Sequence, residues 1–162
     1  MHTRDDAWMA LDRNFKAFMD SLGNLTEEEL TATEVVGKWS VKDVVAHVWS
    51  WVEESIQIAK QWSDTRPANN NVVYDDSWNE KQVEDKSVLP LLTVVDGLNR
   101  AHTRFIRMLD LAEDSALAEI RKSPWDGTEM SLADFYHDTA AHYEAHRIDL
   151  KNYQERCLDG CD

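Results

Sequence analysis

Residues 131–153 read SLADFYHDTAAHYEAHRIDLKNY. Phe135, Thr139, His142, His146, Leu150 and Tyr153 recur at three- and four-residue intervals, which is the period of one face of an α-helix. Ser131 precedes the run and Asp134 follows three positions later, the arrangement of a side-chain cap on a helix N-terminus. The face is unusual because His142 and His146 occupy positions where a bundle would otherwise place apolar side chains. At i and i+4 their imidazoles stand one above the other and point inward. Buried imidazoles need partners, because each unsatisfied group costs on the order of 1–3 kcal/mol. Two readings are open at this point: core histidines bonded to backbone, hydroxyls or carboxylates, or a pair of metal ligands.

The rest of the chain repeats the helical pattern. A first helix is expected from about Asp5 to Leu22, with Trp8, Leu11, Phe15 and Phe18 or Met19 facing inward, ended by Gly23-Asn24. A second opens at Ser40, with Asp43 three residues on, and buries Val44, Val48, Trp51, Ser55, Ile58 and Trp62. Thr65 to Asn71 reads as a loop. A short helix holds Trp78, Asn79 and Glu80. Ser87 is the expected cap of a long third helix with Pro90 in its first turn and Leu91, Val95, Leu98, Phe105 and Leu109 inside. Ser123 to Gly127 is a turn. With five glycines, three prolines and almost no β-branched alternation, the chain is expected to be all-α, one four-helix bundle domain over residues 1–162.

His47 extends the histidine argument to a second helix. It lies on the line Asp43, Val44, His47, Trp51, Glu54, Ile58, at the margin of the apolar face, so it too can look into the bundle. Three inward histidines would supply three nitrogen ligands to a divalent metal and leave a coordination position open for water or substrate. His102, between Leu98 and Phe105 on the third helix, is a candidate for the same cavity or a core histidine. His137 is about 140° around its helix from His142 and points elsewhere. His2 is uninformative. Asp138 is a candidate to orient His142, although an exposed carboxylate is the commoner outcome. Glu54 and Tyr143 are weak candidates for acid–base work, and Trp51 for the pocket wall.

Composition excludes some classes. The formal charge of −14 repels phosphate backbones and anionic membrane surfaces, so neither nucleic acid nor membrane is an expected partner. No apolar run approaches the ~20 residues of a membrane span, and the start has no basic-then-apolar secretory pattern, which gives a cytoplasmic reading. Cys157 and Cys161 read as two thiols on a frayed tail. There is no glycine-rich phosphate loop and no nucleophile elbow.

Several motifs together resemble one family. Gly37-Lys38-Trp39-Ser40-Val41-Lys42-Asp43-Val44-Val45-Ala46-His47 is similar to the opening of helix two in the DinB/YfiT-like superfamily. Trp125-Asp126-Gly127-Thr128, Ser131-Leu132-Ala133-Asp134 and His142-Tyr143-Glu144-Ala145-His146 resemble its entry to helix four and its ligand pair. Trp78-Asn79-Glu80 looks closest to the ClbS/DfsB-like branch. The resemblance implies a four-helix bundle of unusual connectivity, often a homodimer, holding nickel or zinc on His47, His142 and His146. It also implies a small-molecule substrate: thiol transfer or isomerisation with bacillithiol or mycothiol as a low-molecular-weight thiol, or hydrolytic detoxification of a small electrophile. Its ClbS-like branch adds a metal-independent hydrolase, and a non-catalytic protein that sequesters a small ligand remains a third expectation.

Overall fold

A computed structural model of the chain describes residues 1–23, 25–32, 34–62, 72–123 and 125–159, without the side chains of 158 and 159. In chain order the elements are α1 (Arg4–Leu22), α2 (Glu27–Thr31), α3 (Val41–Gln61), α4 (Asp76–Ser87), α5 (Leu91–Leu111), α6 (Asp114–Leu117), β1 (Ile120–Lys122), β2 (Glu129–Ser131) and α7 (Leu132–Asp159). The loop expected from Thr65 to Asn71, together with Asn24, Pro124 and Cys161, lies outside the described residues.

Local chemistry sets the helix starts. Thr3 with Asp6, Thr26 with Glu29, and Ser40 with Asp43 form reciprocal capping boxes at the N-termini of α1, α2 and α3. Ser131 and Asp134 exchange the same bonds at α7, with Asp134 N to Ser131 Oγ at 3.1 Å. Each such cap stabilises its helix by about 1 kcal/mol. The expected cap at Ser87 is corrected: Ser87 ends α4, its hydroxyl donating to the Glu84 carbonyl, and α5 starts only after Pro90. The residue before a proline is pushed out of the helical region, so no helix runs through Leu89 and Pro90. The segment carrying Trp78 is also longer than a single turn, twelve residues in all.

The four long helices α1, α3, α5 and α7 make the bundle. α1 lies along α7 and α3 along α5; the two pairs meet chiefly through α3 with α7 and α1 with α5. Leu11, Phe18, Val44, Val48, Ile56, Leu98, Phe105, Leu109, Phe135 and Leu150 are fully buried between them. Trp8 does not join this core. It is 36% exposed, because α1 turns the small residues Ala7 and Ala10 inward beside Leu11 and ties to α7 through Asn14 Nδ2, which donates to the Ala140 carbonyl at 3.0 Å. On α5, Val94, Gly97, Ala101 and His102 are buried, while Leu91 and Val95 are only half-buried. Gly97 is where α5 meets Trp49 of α3: a Cβ there would fall 2.5 Å from the indole.

The all-α expectation omits one small element. β1 and β2 pair antiparallel, Ile120 with Ser131, Arg121 with Met130 and Lys122 with Glu129. Three-residue strands leave too little alternation to read, but the turn between them carries a signal in Asp126-Gly127. Gly127 takes φ +73, which side chains rarely adopt, and Asp126 accepts from the Thr128 amide and hydroxyl. Cys157, expected on a frayed tail, lies within α7 and packs partly against the core. Among the described residues no helix is long and apolar enough to cross a membrane.

Candidate metal centre

The second turn of α3 and the middle of α7 meet at three imidazoles. His47 Nε2 is 3.1 Å from His142 Nε2, and His146 Nε2 is 3.0 Å from the same atom. One ligand nitrogen from each residue lies within 4.8 Å of the others. The rings stand edge to face, with interplanar angles of 74° to 81°, so the three nitrogens converge instead of stacking.

His146 is held from behind. Its Nδ1 lies 2.9 Å from Asp149 Oδ2, and a carboxylate accepts only, so Nδ1 carries the proton and Nε2 presents a lone pair. His142 can put one Nε2 proton toward one neighbour, not two. One of the two short nitrogen–nitrogen contacts therefore lacks a proton to share. His47 adds a second imbalance, since its Nδ1 is buried without a hydrogen-bond partner.

Burial also removes charge from the cluster. It pushes His47 down to about 3, helped by the neighbouring His146, and pushes His142 well below the usual histidine range. His146 is lowered by burial too, with Asp149 opposing the shift. All three rings are neutral near pH 7, the form in which histidine binds metal. Two nitrogens at bonding distances of about 2.0–2.1 Å from one ion stand roughly 2.9–3.4 Å apart for right-angled to tetrahedral arrangements. The spacing and donor set fit a divalent cation.

In front of the histidines opens a cavity of about 470 Å³ whose wall includes Trp51, Tyr74, Trp125 and Asp138 besides His47 and His142. The Trp51 indole N–H donates to Asn79 Oδ1 at 2.9 Å, which gives the Trp78-Asn79-Glu80 segment a role in holding the wall. The Tyr74 hydroxyl donates to Glu54 Oε1, so Glu54 braces the wall from outside the lining. Burial and this carboxylate push the Tyr74 phenol well above its ordinary value.

Tyr143 reaches the cavity, but its hydroxyl is 3.0 Å from His102 Nδ1. His102 is not among the lining residues. It is buried behind Tyr143 and stacked on Phe15, centroids 3.6 Å apart, because its position on α5 faces α1 and not the mouth. Asp138 does not orient His142 either: its exposed carboxylate lies at the wall, 3.5 Å from His137 Nδ1. His137 turns away from the cluster and stacks on His2, whose amide and ring both bond Asp134. Asp149, Tyr74 and Trp125 were not singled out from the sequence as site residues. Asp149 had a signal in its three-residue spacing from His146. Tyr74 has none, as it lies between helices.

The fold recurs among solved structures. ClbS, a colibactin self-resistance protein crystallised with double-stranded DNA, superposes with a TM-score of 0.77 at 13% identity over 93% of this chain and 94% of its own. YfiT from Bacillus subtilis, described as a probable metal-dependent hydrolase with an unusual four-helix bundle topology, gives 0.75 at 18% identity over 95% and 87%. A mycothiol-dependent maleylpyruvate isomerase gives 0.77 at 9% identity; the match covers 92% of this chain but only 61% of that one. At these identities the likeness is one of fold. No curated protein matches the chain. The sequence profile of the DinB superfamily matches residues 10–150, a span that contains all three histidines, the hairpin and the four bundle helices in most of their length. The chain belongs to the DinB superfamily.

Proposed function

We propose that the chain is a metal-dependent enzyme that detoxifies a small electrophile, with nickel or zinc held by His47, His142 and His146. The observation that carries this reading is the convergence of three neutral Nε2 atoms, two of them on histidines that line an open cavity. When bound, a divalent ion supplies Lewis acidity and a nucleophile usable near neutral pH. The attacking group is water or a low-molecular-weight thiol; descriptions of YfiT and of the mycothiol-dependent isomerase support these two chemistries by analogy.

The chain's own residues have separate tasks. Asp149 holds the His146 tautomer and ring plane. Trp51, fixed by Asn79, and Tyr74, fixed by Glu54, exclude water from one side of the cavity. Tyr143 packs against His102 and keeps α7 from rotating; its raised phenol pKa suits it to hold a proton, not to release one. The acidic charge favours a small-molecule substrate over nucleic acid.

The test is the metal content of untagged protein, measured by mass spectrometry beside a His142→Ala/His146→Ala variant. About one equivalent in the parent and none in the variant is expected; equal metal in both overturns the reading. A metal-independent hydrolase or a sequestering protein is favoured by one observation, that 3.0 and 3.1 Å are also hydrogen-bond distances. Activity or ligand protection that survives chelation, with no metal in the parent, selects it.

A further inference from the structure

The aromatic wall bears on the class of ligand. Trp51, Tyr74 and Trp125 stand 5.1 to 5.4 Å apart, centroid to centroid, each touching the other two. Trp78 closes on Trp51 from behind at 4.6 Å. A guest sandwiched between two rings needs them about 7 Å apart, twice a van der Waals contact. These rings are too close to form such a cage. Their planes are inclined to one another by 41° to 69°, so they make an angled aromatic wall in which a flat guest lies on the face of one ring and meets the others obliquely.

The polar edges of two of the three wall rings are already used. The Trp51 N–H goes to Asn79 and the Tyr74 hydroxyl to Glu54, so both residues offer π-faces and no free donor. A phenol donating to a carboxylate is an electron-richer ring, which strengthens its attraction for positive charge. The charged lining residue among those described is Asp138, and no lysine or arginine lines the cavity among the described residues. Asp138 lies one helical turn before His142, so a positive centre beside it leaves the other end of a bicyclic ligand near the histidines. The net charge of −14 biases encounter toward cations.

We infer that the cavity recognises a flat, cationic heteroaromatic ring of the N-alkylated pyridinium or quinolinium class, stacked on Trp51 beside the inclined rings of Tyr74 and Trp125, with its positive charge toward Asp138. The inference rests on the cavity beside the histidines being the substrate site, though not on a metal being there. It deepens the proposed function by naming the substrate class.

The experiment uses chelator-treated full-length protein and three probes of similar shape: N-methylquinolinium, quinoline at pH 7.5 and 1-naphthoate. Binding is followed by tryptophan quenching and calorimetry. N-methylquinolinium is expected to bind at least about tenfold tighter than 1-naphthoate, with quinoline between them. Asp138→Asn, a change at an exposed carboxylate, should bring the three to within about threefold of one another, and Trp51→Leu should weaken both N-methylquinolinium and quinoline about tenfold. Naphthoate binding as tightly as the cation, an unchanged preference in Asp138→Asn, or no saturable binding of any probe overturns the inference. Metal content of the same preparations before chelation reports separately on the histidines, so loss of one reading is distinguishable from loss of the other.

Discussion

His146 Nδ1 and Asp149 Oδ2 lie 2.9 Å apart across one turn of α7, on the side of the imidazole facing away from His47 and His142. The carboxylate fixes which nitrogen carries the proton and raises the basicity of the other. Asp149→Asn should therefore weaken metal affinity by about 10–100-fold while leaving the fold intact, since the residue is on the helix surface. Competition titration against a chromophoric chelator measures it. An affinity within threefold of the parent would remove Asp149 from the site.

The imbalance at His47 predicts opposite effects with and without metal. Its Nδ1 is buried without a partner, and its Nε2 competes with that of His146 for the one hydrogen-bonding position His142 Nε2 offers. His47→Leu should raise the unfolding free energy of the metal-free protein by about 1–2 kcal/mol, because an apolar group replaces an unsatisfied one. The same variant should lose the stabilisation that metal adds to the parent. Urea unfolding in chelator and in excess zinc gives both values. A destabilised metal-free variant contradicts the account.

Acidification should destabilise the metal-free protein in a defined window. Burial lowers His102 from 6.5 to about 4 and His47 to about 3, so between these values and 6.5 the unfolded chain binds protons that the folded chain does not. Stability is then fully present above pH 6.5 and falls as the pH drops through 6.5 toward 4. For His102 the loss amounts to roughly 3 kcal/mol at the bottom of the window. Unfolding midpoints at pH 7.5, 6, 5 and 4 should fall steadily, and His102→Phe should flatten the curve. A midpoint independent of pH in the parent argues against neutral buried histidines.

Gly97→Ala should cost about 1–3 kcal/mol, the range for forcing one extra carbon into a packed contact. The new Cβ would lie 2.5 Å from the Trp49 ring, and neither α3 nor α5 can withdraw without opening the core. Thermal unfolding of Gly97→Ala beside Gly97→Ala/Trp49→Leu provides the check. Most of the loss should be recovered in the double variant.

The helices were legible from Ser40, Ser131 and the three- and four-residue spacing of Val44, Val48, Leu98, Phe105 and Leu150, because caps and periodicity are local. Ser87 reads as the start of α5 although it ends α4, since Pro90 is compatible both with a first helical turn and with the position just before a helix. The inward faces of His47, His142 and His146 could be read from each helix separately. Their meeting could not, since it depends on how α3 lies against α7. Tyr74 and Trp125 reach the cavity from segments between helices, and Trp8 missed the core because neighbouring alanines let α1 turn.

Two of the three converging nitrogens come from α7 and one from α3, helices that belong to different packed pairs. An ion there would be a rivet through the seam where the α1–α7 and α3–α5 pairs meet. Its arrival would tighten that seam, adding a polar cross-tie to the one apolar core that all four long helices share. The bundle's looseness under strain would then report on occupancy of the centre, without any substrate being turned over.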